Sequence, residues 1–210
     1  LGEHTHAFME FVYEDVGNGE GFIIDLERLW VKYAMAKALQ FSVGRFHSPI
    51  GYWNKNFHHG TLIQDTASRP FFLDFEDGEA GVLPMHSVGL KIDGQVPSGQ
   101  GVFSYNLIFA NASSLDAAKN EILVNNVFDP GNKKAGILNV NYEYTPIGLE
   151  VGLFHENTIY LDGTTATTLY DQIFSGIDFR FTHSKFYLQA EWFTINNEDE
   201  ATGLSLDSNA

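Results

Sequence analysis

Cysteine is absent from this 210-residue chain. That excludes a disulfide framework, a thiol nucleophile and a thiolate metal centre, and it is compatible with a bacterial envelope protein. Basic residues are scarce: 12 Lys and Arg stand against 27 Asp and Glu, for a net charge of -15. Without clusters of Lys and Arg to neutralise phosphates, nucleic acid is excluded as a partner. No run of 18 apolar residues occurs, so no helix spans a membrane. The chain opens at Leu1 without an initiator Met and shows no signal peptide; in an exported protein that segment is removed or lies outside this sequence. Nor is there a GxSxG elbow, a phosphate-binding glycine loop, a dinucleotide fingerprint or an HExxH pair.

What the chain has is alternation. Val88, Leu90, Ile92 and Val96 share one face, with Ser87, Gly89, Lys91, Asp93 and Gln95 on the other. After a turn at 97–100, Phe103, Tyr105, Leu107 and Phe109 alternate with Ser104, Asn106 and Ala110. The unit recurs over 134–157, where Leu138, Val140, Tyr142 and Tyr144 oppose Asn139, Asn141 and Glu143; beyond Pro146, Leu149, Val151 and Leu153 oppose Glu150, Gly152 and Phe154. It recurs again over 172–195, with Ile177, Phe179 and Phe181 against Asp178 and Arg180, then Phe186, Leu188 and Trp192 against Gln189 and Glu191. Long strands with one apolar and one polar face predict an all-β, antiparallel transmembrane barrel built as a meander of hairpins. Aromatics at 14%, led by 18 Phe and 9 Tyr, suit the interfacial girdles of such a wall.

About nine strands are expected, near 5–14, 22–36, 39–49, 86–96, 101–111, 134–144, 147–157, 170–182 and 185–196. Their lengths suit tilted strands crossing a bilayer, which need roughly 9–11 residues. Turns at one end are short (36–38, 97–100, 145–146, 182–184), whereas 51–85, 112–133, 158–169 and the segment from 197 onward are long. Outer-membrane barrels show that asymmetry, with the long loops outside the cell. An odd count does not close an antiparallel barrel, and 196–210 reads as a loop awaiting its next strand. The expectation is therefore a single domain over 1–210 forming a partial barrel, part of a larger one, with a long loop at 52–85. A strand hidden in 51–85 is the alternative way to reach closure.

Two places break the alternation. Leu29, Val31, Tyr33 and Met35 share a face that begins with Asp25 and Glu27, which the simplest reading places above the apolar band. Leu39, Phe41 and Val43 are followed on the same face by Arg45. An Arg on the lipid face costs about 2–4 kcal/mol at mid-bilayer and about 0–1 near the interface. Either Arg45 lies near the rim, or Gly44 marks a bulge that turns it inward.

The stretch Phe41-Ser-Val-Gly-Arg-Phe-His-Ser-Pro-Ile-Gly51, preceded by Asp25-Leu-Glu-Arg-Leu-Trp-Val-Lys-Tyr33 and a tight turn, resembles the strand-and-loop opening of the phosphate-selective, polyphosphate-type porins of bacteria. The hairpin rhythm through Glu191 extends the likeness over most of the chain. The resemblance implies a channel in the Gram-negative outer membrane, set among bilayer lipid and lipopolysaccharide, often a homotrimer, passing small hydrophilic solutes or ions by passive diffusion. Phosphate selectivity does not follow, because anion selectivity needs ladders of Arg and Lys. The pore-lining candidates are mixed in sign: Arg28, Lys32, Arg45, Arg69, Lys91 and Arg180 with Asp93, Glu143, Glu150, Asp178 and Glu191. A mixed or mildly cation-preferring pore is the expectation.

The loop 52–85 exceeds a plain connector in length. It is expected to fold partly into the lumen as a constriction, where Arg69 and the acids of 74–79 shape the field. The alternative is an ordinary cap outside the pore. The acids of 74–79 and 198–200 are read first as solvated surface, and alternatively as carboxylates bridged by divalent cations to one another or to anionic lipid head groups. His47, His58, His59 and His86 flank or occupy the same loop and are candidate metal ligands. The plainer reading makes them polar loop residues, with no metal and no cofactor. Glu143 and Glu150, on neighbouring strands, invite a hydrolase reading; as polar residues of a water-filled wall they need none, and Ser104, Ser175 and Ser184 lie in no nucleophile motif. No enzymatic activity is expected. The rival to the channel is a soluble all-β, lectin-like binding protein, whose apolar face would pack against a second sheet.

Overall fold

A computed structural model describes residues 2–15, 21–57, 83, 85–116, 121–123, 129, 131–199 and 205–209. Twelve strands form one sheet: β1 (Thr5–Asp15), β2 (Phe22–Ala36), β3 (Leu39–His47), β4 (His86–Ser98), β5 (Gly101–Asn111), β6 (Ser113–Asp116), β7 (Glu121–Ile122), β8 (Lys134–Tyr144), β9 (Leu149–Asp162), β10 (Thr168–His183), β11 (Phe186–Asp199) and β12 (Ser205–Asn209). Among the described residues one α-helix, α1 (Tyr52–Phe57), lies between β3 and β4. The path runs β1-β2-β3-β4-β5-β8-β9-β10-β11-β12, each strand antiparallel to its neighbour. Off that path, β6 pairs with β7 and lies parallel to β9. The fold is the all-β antiparallel meander expected, and its end strands β1 and β12 are not paired, so the sheet is not closed.

Each expected strand is present, with two differences at the ends. The connection expected over 158–169 shrinks to 163–167, because Ile159 and Tyr160 extend β9. The ring of Tyr160 stacks on Tyr170 at 4.7 Å, and β6 runs alongside, so this end of the hairpin gains partners that a β-rich sequence can use. The second difference is β12, which follows β11 where only a loop was read.

The polarity of the two faces is the reverse of a water-soluble sheet. Phe11, Val31, Tyr33, Val43, Phe109, Leu138, Leu153, Ile177, Leu188 and Trp192 are exposed. Ser42, Asn139, Asn141, Glu156, Gln172 and Asp178 are buried. Alternation puts these two sets on opposite faces. We call the face carrying α1 and the buried polar residues the inner face.

The sheet must curl around α1. From β2 to β11 the path crosses seven strand spacings, about 33 Å if flat, whereas a six-residue helix is about 9 Å long. Yet Lys55 of α1 lines a cleft with Arg28 and Trp30 of β2, while the Trp53 amide donates to Glu191 of β11 at 2.6 Å. Only a curved sheet brings both walls to one helix.

Both breaks in alternation are buried. In the β1–β2 pairing Glu10 faces Arg28 and Phe11 faces Leu26, so Glu27 is an extra residue in β2, a bulge, and its side chain is covered. Arg45 is likewise buried, and its Nε donates to the Glu27 carbonyl at 2.8 Å. Gly44 has φ 139, but the pairing runs through it without a shift, so Arg45 stays in register with Leu29 and Val88, beyond the exposed Val43 near the end of β3. The expected alternative of a bulge at Gly44 is therefore not realised. A Cβ at Gly44 would overlap the Leu29 carbonyl and the Trp30 backbone, so no other residue fits.

This geometry predicts unequal tolerance of two glycines. Gly44→Ala should lower stability by about 1–3 kcal/mol in urea unfolding, whereas Gly136→Ala, where a Cβ meets nothing within 4 Å, should be near neutral. Equal effects would contradict the assigned role of Gly44.

Candidate functional site

The inner face carries an apolar patch among its polar groups. Phe154, Phe174 and Phe193, on β9, β10 and β11, form a ring cluster with centroids 5.3 to 5.6 Å apart. Ile50, Trp53, Leu83 and Met85 pack onto it. A segment leaving β3 therefore has a greasy landing place on the far wall, and α1 takes it. Polar contacts fix the docking: Asn54 Nδ2 donates to the Ser48 carbonyl at 2.8 Å, and Glu191 Oε1 accepts from the Trp53 amide. Gly51 at φ 60 makes the approach to Glu191, where a Cβ would collide with its carboxylate. The start of the long loop thus folds onto the inner face. Residues 58–82, with Arg69, His58, His59 and the acids of 74–79, lie outside the described residues.

The helix meets charges on both walls. Arg180 pairs with Glu150, and its guanidinium sits 4.9 Å over the Tyr52 ring. Lys55 Nζ donates to Asn141 Oδ1 at 3.0 Å. That amide belongs to a ladder in which Asn141 and Asn106 both donate to Asn139 Oδ1, at 2.6 and 3.3 Å. Burial pushes the Lys55 ammonium below its ordinary pKa, while Asp178, Glu150 and Glu191 pull it back up. Burial raises the Tyr52 hydroxyl, against Arg180, which lowers it.

Between α1 and the first strands lies a cleft of about 210 Å³ lined by Arg28, Trp30, Phe46, His47, Pro49, Lys55, Lys91 and Asn106. Its cations are mostly engaged. Arg28 Nε donates to Glu10 Oε2 at 2.5 Å and lies 4.8 Å over Phe8. Lys91 stands 3.8 Å from Asp93 and 4.8 Å over the Phe46 ring. Outside the cleft lining, Lys32 reaches Gln40 and Asp93 at 3.0 and 3.3 Å. Paired charges of both signs on a curved face can order water and small solutes.

The structure brings Arg28, Lys32, Lys91, Asp93, Glu150, Asp178, Arg180 and Glu191 to the inner side. Arg45 is buried in register with Leu29 and Val88, and Asp178 is fully buried. Glu143 is exposed near the short turn and is the direct cross-strand partner of Glu150, which pairs with Arg180. One Ser–His contact exists, Ser175 Oγ to His155 Nδ1 at 2.8 Å, but among the described residues no third group orients that ring.

Sequence reasoning missed Glu27. It lies with His47 and His86 in a cluster whose ligand-type atoms fall within 4.8 Å of one another. These two histidines sit at the facing ends of β3 and β4, within the strands expected there and flanking the long loop. Their direct pairing follows from the strand register, a signal present once β3 and β4 are taken as neighbours. Comparison of the chain with protein families, curated proteins and solved structures finds no match.

The docking of α1 predicts a shielded Trp53. In a Trp30→Phe/Trp192→Phe background, Trp53 emission should be blue-shifted and resist acrylamide. Glu191→Ala removes a hydrogen bond to a charged group, about 1.5–3 kcal/mol, and should raise the undocked population roughly 10- to 100-fold, with quenching to match. Unchanged quenching would contradict the docked arrangement.

Proposed function

We propose that this chain forms part of the wall of a porin-like channel in the bacterial outer membrane, passing small hydrophilic solutes or ions by passive diffusion. The observation that carries this reading is the reversed polarity of the sheet: an open apolar face and a charged inner face. Leaving a Leu or Phe side chain in water forgoes about 1.5–3 kcal/mol of burial, and a contiguous apolar surface of this extent invites aggregation. Lipid hydrocarbon removes that cost without a second sheet. The outer edges of β1 and β12, unpaired in the sheet, would be covered by further strands of the barrel wall.

Selectivity would come from opposed walls. Arg28, Lys32 and Lys91 mark β2 and β4, while Glu150, Asp178 and Glu191 mark β9 to β11. Lys55 of α1 stands between them. Cations tied up in pairs give no uninterrupted basic ladder, which favours a mixed or mildly cation-preferring pore. The helix narrows the bore by occupying the inner face. The rival soluble, lectin-like reading requires the apolar face to pack against a second sheet, and among the described residues there is one sheet.

Purified full-length chain should partition into detergent, migrate heat-modifiably in gels and produce ohmic steps in planar bilayers. In a KCl gradient the reversal potential should indicate weak selectivity, tilted toward potassium. Solubility without detergent together with silent bilayers would overturn the channel. Strong chloride preference would overturn only the charge assignment.

A further inference from the structure

The Glu27–His47–His86 cluster is independent of conduction. Its three residues come from β2, β3 and β4, adjacent in the sheet. His47 and His86 are direct cross-strand partners, with ring centroids 5.1 Å apart. Extending the β2–β3 register, in which Leu29 faces Arg45, by two residues sets Glu27 opposite His47. His86 Nε2 already lies 2.8 Å from Glu27 Oε2, and both side chains are almost completely buried.

We propose that these three residues form a binding site for a divalent transition metal, of which zinc is the best match. Two imidazoles and one carboxylate are a zinc donor set that leaves a fourth position open. Ligand atoms around a shared zinc sit about 3.3 Å apart when the bonds are about 2.0–2.1 Å, so atoms already within 4.8 Å converge by small rotations of the side chains. Nitrogen ligands select against magnesium and calcium, which prefer oxygen. Local charge is compatible. Asp25 and Glu27 contribute two negative charges near Arg45, so neutral imidazoles leave the surroundings with one net negative charge before the metal arrives. The open position is reachable as well, because His47 also lines the 210 Å³ cleft, through which water or a small anion could complete the coordination. Bound metal would clasp three strands at the point where the long loop departs.

The test titrates zinc into detergent-purified, chelator-stripped full-length protein against a zinc indicator, with magnesium in parallel. One equivalent of zinc should bind and magnesium should not. Losing an outer-shell partner already costs about 10–100-fold in metal affinity, so His86→Ala and His47→Ala should each cost about 100-fold or more. His155→Ala should bind as the unaltered protein does. Zinc absorption spectra of the unaltered protein, which need no variant to fold, should show two imidazole nitrogens and carboxylate oxygen at about 2.0–2.1 Å. Full binding in a His47→Ala/His86→Ala protein, or a shell of water or additional imidazoles, would overturn the site. Neither result touches the bilayer measurements, so the two proposals stand or fall separately.

Discussion

Backbone pairing in a single continuous sheet is the constraint from which the rest follows. Every strand on the path hydrogen-bonds to its neighbours, so side chains have only two places to go. With period two, one set must share a face and the other must share the opposite one. Here the greasy set is left open and the charged set is covered, an arrangement that water would not select and that hydrocarbon would. The curl of the sheet adds the second half of the logic, since it gathers the charged set around one short helix.

That covered face is stable because its charges arrive in company. Arg180 with Glu150, Lys32 with Asp93, and Arg28 with Glu10 are cross-strand pairs in which each group compensates its neighbour's desolvation. The asparagine ladder does the same for uncharged groups. Phenylalanine on three adjacent strands then supplies an apolar island for Trp53. The helix is held by both chemistries at once, a patch of hydrocarbon beneath it and polar bonds at its rim. A pore wall built this way would be rigid, with its bore set by how firmly the helix stays docked.

Much of this could be read from residue order, and the exceptions share one physical cause. Alternation located nine strands and assigned Leu138 outward, Asn139 and Asn141 inward, and even Phe154 to the polar side, because period two is a local property. Glu27 escaped since a bulge leaves no mark in a binary pattern, and Arg45 escaped since its burial depends on neighbours that its place in the strand does not reveal. The brief β6 and β7 pairing and the extension of β9 depend on contacts between distant segments. The metal cluster is of that kind too: His47 and His86 are 39 positions apart, and only the joining of β3 to β4 makes them neighbours.

The central claim is that Trp192 and the side chains beside it touch lipid tails while Trp53 does not. Reconstituting single-tryptophan proteins into bilayers whose acyl chains carry bromine tests this directly, since bromine quenches only fluorophores within the hydrocarbon or touching it. The account predicts strong quenching of Trp192 and little of Trp53. Protection of Trp192 equal to that of Trp53, in protein shown to be folded, would contradict it.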